Sequence, residues 1–122
     1  MSTVELTADN FERTVKDNDI VFIDFWAAWC GPCRTFGPIY EKVAGKHDDI
    51  VFGKVDTEAE QLLAGQFGIR SIPTLAVLRE GVVLFSQAGV LPEQALEDLI
   101  AQVREVDMAE VHRAVAEQQA VS

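Results

Sequence analysis

The spacing of apolar residues changes character along the chain. Val21-Phe22-Ile23-Asp24-Phe25-Trp26 is apolar at odd and even positions alike, apart from one carboxylate, which is the pattern of a strand covered on both faces. Then the period lengthens. Phe36, Ile39, Tyr40, Val43 and Ala44 fall at i, i+3, i+4, i+7 and i+8, the stripe of an amphipathic helix that opens near Cys30, fades by Lys46 and carries Pro38 as a kink. Ile50 to Val55 reads as a further strand, and Ala59, Leu62, Leu63 and Phe67 as a short helix ended by Gly68. Leu75–Leu78 and Val82–Phe85 flank Arg79-Glu80-Gly81, a connection short enough for a β-hairpin. Pro92 opens a helix through Leu96, Leu99, Ile100 and Val103, while Phe11 and Val15 mark a first helix after a short strand around Val4.

Helices between successive early strands imply right-handed crossovers and a parallel portion of sheet; the late hairpin adds an antiparallel edge. The expected architecture is a three-layer α/β sandwich with a mixed sheet. Residues 1–106 supply all its elements, leaving 107–122 as a C-terminal helical extension. Met108, Val111 and Val115 continue the helical stripe there with no Gly or Pro to stop it, which predicts a helical extension continuous with the last helix or packed near it. A frayed end and a contact with a second copy or a partner are its two readings.

At 122 residues the chain fits one domain. Its 48% hydrophobic and 25% charged residues match a soluble globular protein rather than a disordered one. A net charge of −10 without clustered Lys and Arg argues against a nucleic-acid partner. Met1-Ser2-Thr3-Val4-Glu5-Leu6 lacks the basic and apolar stretches of a signal peptide and no run is long enough to span a membrane, so a reducing cytoplasm is expected.

That compartment changes how the two cysteines read. Cys30 and Cys33 are the only ones, three apart, so a working redox pair is a better use than a structural framework. Residues i and i+3 in a first helical turn meet the Cα separation a disulfide needs, about 4.4–6.8 Å. At a helix start, unpaired backbone N–H groups and the positive end of the dipole favour thiolate over thiol at Cys30, the expected nucleophile. Cys33, one turn further in and expected to be less exposed, is placed to resolve a mixed disulfide. Half a zinc site and a pair of inert core thiols are the competing readings. The first needs two more ligands, and His47 and His112 sit at no suitable spacing, so no metal is expected.

Asp24-Phe25-Trp26-Ala27-Ala28-Trp29-Cys30-Gly31-Pro32-Cys33 resembles the active-site strand and helix of the thioredoxin family. Gly68-Ile69-Arg70-Ser71-Ile72-Pro73-Thr74 resembles its cis-proline segment, and Gly89 its glycine beside the substrate groove. The likeness runs from about Val4 to about Val106 and implies the thioredoxin fold, an α/β/α sandwich on a central mixed five-stranded sheet. It implies a protein-disulfide reductase that binds no cofactor and receives electrons from NADPH through thioredoxin reductase. Disulfide-containing client proteins would be its other partners, and the chain a monomer unless the tail makes a dimer.

The resemblance also assigns roles. Asp24, desolvated in its apolar strand, would deprotonate Cys33 through water. Lys54 would bias the charge of Asp24, a plain solvated lysine being the alternative. Gly31 and Pro32 would tune the pair, Pro32 toward the reducing end. Trp29, Ile72, Pro73 and Gly89 would bind substrate, with Ile72 offering its backbone to an extended client strand. Trp26 reads as core. Ala28 and Arg34 depart from the residues common in bacterial members, an acid and a lysine. Two other functions remain to be separated: a thiol oxidase or isomerase, which needs export and a less reducing dipeptide, and a binding module in which the cysteines are dispensable.

Overall fold

The computed structural model describes residues 2–121. Five strands, β1 (Thr3–Glu5), β2 (Ile20–Trp26), β3 (Val51–Asp56), β4 (Thr74–Arg79) and β5 (Val82–Ala88), form one sheet in the order β1-β3-β2-β4-β5. β2 lies between β3, to which it is parallel, and β4, to which it is antiparallel; β1 joins β3 in parallel and β5 joins β4 antiparallel. The mixed sheet is therefore the expected one.

Helices α1 (Phe11–Asp17), α2 (Gly31–Ala44), α3 (Gln61–Gln66) and α4 (Glu93–Glu105) cover the sheet. The two-residue alternation of a strand sorts β2 between two cores. Ile20 and Phe22 join Phe36, Tyr40 and Val43 of α2 and Leu96 and Ile100 of α4. Val21, Ile23 and Phe25 point the other way, to Leu63 of α3 and to Phe11 and Val15 of α1. By the same parity Asp24 points into the α2 layer. So does Lys54, its register partner on β3.

Three boundaries move for local reasons. Helix α3 starts at Gln61 rather than near Ala59, because Asp56 Oδ1 accepts from the amides of Glu58 and Ala59 and turns the chain first. The β4–β5 loop is only Glu80-Gly81, with φ of 51° and 80°, the two left-handed residues of a type I′ turn. The tail is a helix of its own. It does not lengthen α4: Val106 is extended at φ −63° and ψ 132°, and a separate helix α5 (Met108–Val121) follows. Arg79 Nη1 donates to the carbonyls of Val103, Arg104 and Val106, caps α4 and fixes the turn. Met108 is buried, Val111 and Val115 are half-buried, and His112 meets Glu80 of the hairpin turn at 2.7 Å.

β1 and β3 meet over Gly53, where a Cβ atom would stand 2.3 Å from Leu6 Cδ1 and 2.7 Å from Leu6 Cγ. Leu6 is buried and has no free volume to retreat into. Gly53→Ala should therefore cost about 1–3 kcal/mol through overpacking, read as a lower midpoint in urea with an unchanged slope. An unchanged midpoint would show that β1 can lift from β3 freely.

Candidate active site

The site lies at the carboxyl end of β2, where the chain leaves the sheet and enters α2. Cys30 is the N-cap of that helix, and its sulfur accepts the backbone N–H of Cys33 at 3.2 Å. Pro32 stands in the first turn, where its missing N–H costs no helix bond. Cys30 and Cys33 form a disulfide with their Cα atoms 5.2 Å apart, within the ordinary range for such a bond. Both sulfurs thus lie where backbone N–H groups and the helix dipole favour negative charge.

The expected difference in exposure is not found. In this disulfide form Cys30 is 3% exposed and Cys33 5%. Half-buried Ile72 packs against the pair, its carbonyl oxygen 3.6 Å from Cys30 Sγ, and covers the outer sulfur as well as the inner one. The Ile72–Pro73 peptide bond is cis. Gly89, at φ +111°, donates its N–H to the Pro73 carbonyl at 2.8 Å, so the expected glycine does lie beside this segment. No L side chain adopts that φ readily.

A pocket of about 630 Å³ opens on Cys30, with Trp29, Pro32, Glu58, Arg70 and Ile72 among its walls. Trp29 is 66% exposed, and its indole N–H donates to Glu58 Oε1 at 3.2 Å. Cys33 faces another way, into a second pocket of about 370 Å³ with Trp26, Arg34 and Lys54. Trp26 is consequently not plain core. It is half-buried against the disulfide and carries the Lys54 ammonium 4.9 Å above its ring. Arg34 stands out in the sequence only as a departure from the family pattern, and Glu58 not at all, because an exposed charged residue has no sequence signal until its neighbours are known.

Asp24 is 1% exposed, and neither carboxylate oxygen has a hydrogen-bond partner among the described residues. Burial pushes its pKa up from 3.8 to about 7, and the Lys54 charge pulls the other way. Lys54 acts at a distance, since Asp24 and Lys54 are register partners but make no ion pair. The carboxyl is therefore poised to gain or lose a proton near neutrality. The structure brings together Cys30, Cys33, Gly31, Pro32, Trp29 and Ile72 at one face, with Asp24 and Lys54 beneath and Pro73 and Gly89 alongside.

A family model described as Thioredoxin matches residues 2–102, most of the chain. The chain belongs to the thioredoxin family. A Streptomyces coelicolor protein provisionally named thioredoxin 2 is 64% identical over 119 residues, which is 98% of this chain and 89% of that one, so the likeness reaches into α5. The Bacillus subtilis thioredoxin is 37% identical over 101 residues, 82% of this chain and 96% of its own. Among solved structures, a mutant thioredoxin from Halobacterium salinarum superposes with a TM-score of 0.79 at 32% identity, covering 87% of this chain and 95% of that one. Family, disulfide-capable pair and site geometry agree, and the chain is a thiol-disulfide oxidoreductase. Members of the family bind no cofactor of their own, and among the described residues no group of three or more His, Cys, Asp or Glu side chains is placed to hold a metal.

The raised pKa of Asp24 has a consequence for stability. Between the unfolded pKa near 4 and the folded value of about 7 the native state binds more protons than the unfolded chain, so stability falls as pH rises through that window. Above it Asp24 is a buried charge that costs about 2–4 kcal/mol. Asp24→Asn should raise the unfolding free energy by that order at pH 8 and by much less at pH 4. Equal denaturation midpoints for the two proteins at pH 8 would contradict the burial argument.

Proposed function

We propose that this chain is a cytoplasmic protein-disulfide reductase in which Cys30 is the nucleophile and Cys33 the resolving thiol. The N-capping sulfur of Cys30 at the head of α2 carries the proposal, because a thiolate there is held by a backbone amide and the helix dipole while the pocket beside it admits a client.

The reduced Cys30 thiolate attacks one sulfur of a client disulfide, forming a Cys30–client bond and releasing the first client thiolate. Cys33 then gives up its proton and attacks Cys30 Sγ. The Cys30–Cys33 disulfide forms and the second client thiolate leaves, so two electrons pass to the client. Asp24 serves as the proton acceptor for Cys33 through water, a role suited to a buried carboxyl titrating near 7. Lys54 steadies the charged form of Asp24 from beside Trp26. Trp29, Ile72, Pro73 and Gly89 shape the surface on which an extended client segment lies, with Gly31 and Pro32 setting the rigidity of the turn.

Thioredoxin reductase with NADPH recharges the pair, the partner that membership of the family implies. Residues 1–106 perform the chemistry as a monomer, and 107–122 form an appended helix. The Gly31-Pro32 dipeptide favours reduction over oxidation or isomerisation.

Insulin reduction with NADPH and a thioredoxin reductase tests this reading. Cys30→Ser should lose all turnover, and Cys33→Ser should accumulate a client adduct on Cys30, detectable by intact-protein mass spectrometry. Turnover retained by Cys30→Ser would favour the binding-module alternative. For Asp24→Asn the resolving step should slow by about 10–100-fold at pH 7, on the scale of a lost general base. A rate and pH profile matching wild type between pH 6 and 8 would remove Asp24 from the mechanism.

A further inference from the structure

This chain has 20 acidic against 10 basic residues, and five of those ten cations have no ion-pair partner among the described residues. Lys42, Lys46, Arg79, Arg104 and Arg113 all sit in ion pairs. Arg34 and Lys54 do not, among the described residues, and both line the pocket behind the disulfide. Each is held there by a neutral group. Arg34 Nη1 donates to the Ala28 carbonyl at 3.0 Å, and Lys54 Nζ rests 4.9 Å over the Trp26 ring.

One carboxylate, Glu41, lines the same pocket and leaves its wall with two cations against one anion. It accepts from the Thr3 hydroxyl at 2.7 Å and the Ser2 amide at 2.5 Å. The Thr3 hydroxyl and, after it, the Ser2 amide hold its carboxyl below the usual range. Gly37 forms part of the wall, and a Cβ there would come 4.0 Å from Lys54 Nζ, so the missing side chain leaves the ammonium uncovered. Asp24, the register partner of Lys54, is buried and does not line the pocket.

We propose that this rear pocket is a binding site for a small free oxyanion of the phosphate or carboxylate class, held between Arg34 and Lys54 beside Cys33. Two cations against the single carboxylate of Glu41, in a cavity of about 370 Å³ with an aromatic ring in its wall, provide net positive charge and room. The site is separate from the pocket that admits clients, which opens on Cys30. An anion seated there places negative charge next to the resolving thiol and beside the register partner of Asp24. Like charge disfavours ionisation of Cys33 and Asp24, so the occupied state resolves mixed disulfides more slowly. The kinetic consequence rests on the assignment of Cys33 as resolving thiol; the binding itself does not.

Inorganic phosphate is the probe. In ¹H–¹⁵N spectra of the full oxidised chain, the amides of Ala28, Arg34 and Gly37 should shift along saturable curves with a millimolar midpoint. Sodium chloride at matched ionic strength should not reproduce them. Arg34→Gln, an exposed substitution, should weaken the midpoint at least fivefold while the rest of the spectrum stays native. Shifts that are linear in phosphate, that chloride reproduces, or that survive Arg34→Gln unchanged would overturn the site. In single-turnover release of client from the Cys30 adduct, phosphate should slow the wild type with the same midpoint and leave Arg34→Gln insensitive. Saturable binding without that slowing would keep the pocket and overturn its action on Cys33.

Discussion

Strand β2 has no face to give to water. It is central in the sheet, with β3 and β4 on either side and helical layers above and below, and every one of its residues from Ile20 to Phe25 is buried. Asp24 is in that run, and the parity that sends Ile20 and Phe22 under α2 sends its carboxyl there too. No hydrogen bond relieves it. An ionisable group so confined titrates near neutrality, and it does so under the helix that bears both cysteines. Stability is given up here, and a buried polar group left without a partner is a feature that perturbed sites serving a reaction share.

The other half of the arrangement is the head of α2. Ending β2 at Trp26 and starting the helix at Gly31 leaves Cys30 as the capping residue, a position in which a sulfur can take the place of the usual Ser or Asp oxygen. The same step directs the two sulfurs toward different pockets, Cys30 to one and Cys33 to the other. The two sulfurs of the pair thus face separate surfaces, lined by different charges.

Much of this was legible beforehand because it is written in short-range pattern. Apolar runs located the strands, the i, i+3, i+4 stripe located α2, and the decapeptide from Asp24 to Cys33 identified the family. What was missed depends on contacts across the fold. Residue spacing could not show that Ile72 would cover Cys30 as fully as Cys33, nor that Lys54 would settle on Trp26 instead of pairing with Asp24. The axis of the tail was open for a different reason. Its stripe is truly helical, but periodicity says nothing about the axis, and the break at Val106 is enforced from outside the segment by Arg79.

That grip also fixes where the tail departs. Arg79 ends β4 opposite Ile20, whereas Thr74 at its other end is level with Phe25, next to the redox centre. Helix α5 therefore leaves from the pole of the molecule remote from the sulfurs. Its first turns stay there, with His112 against the hairpin turn, so residues 108–112 leave the working face uncovered.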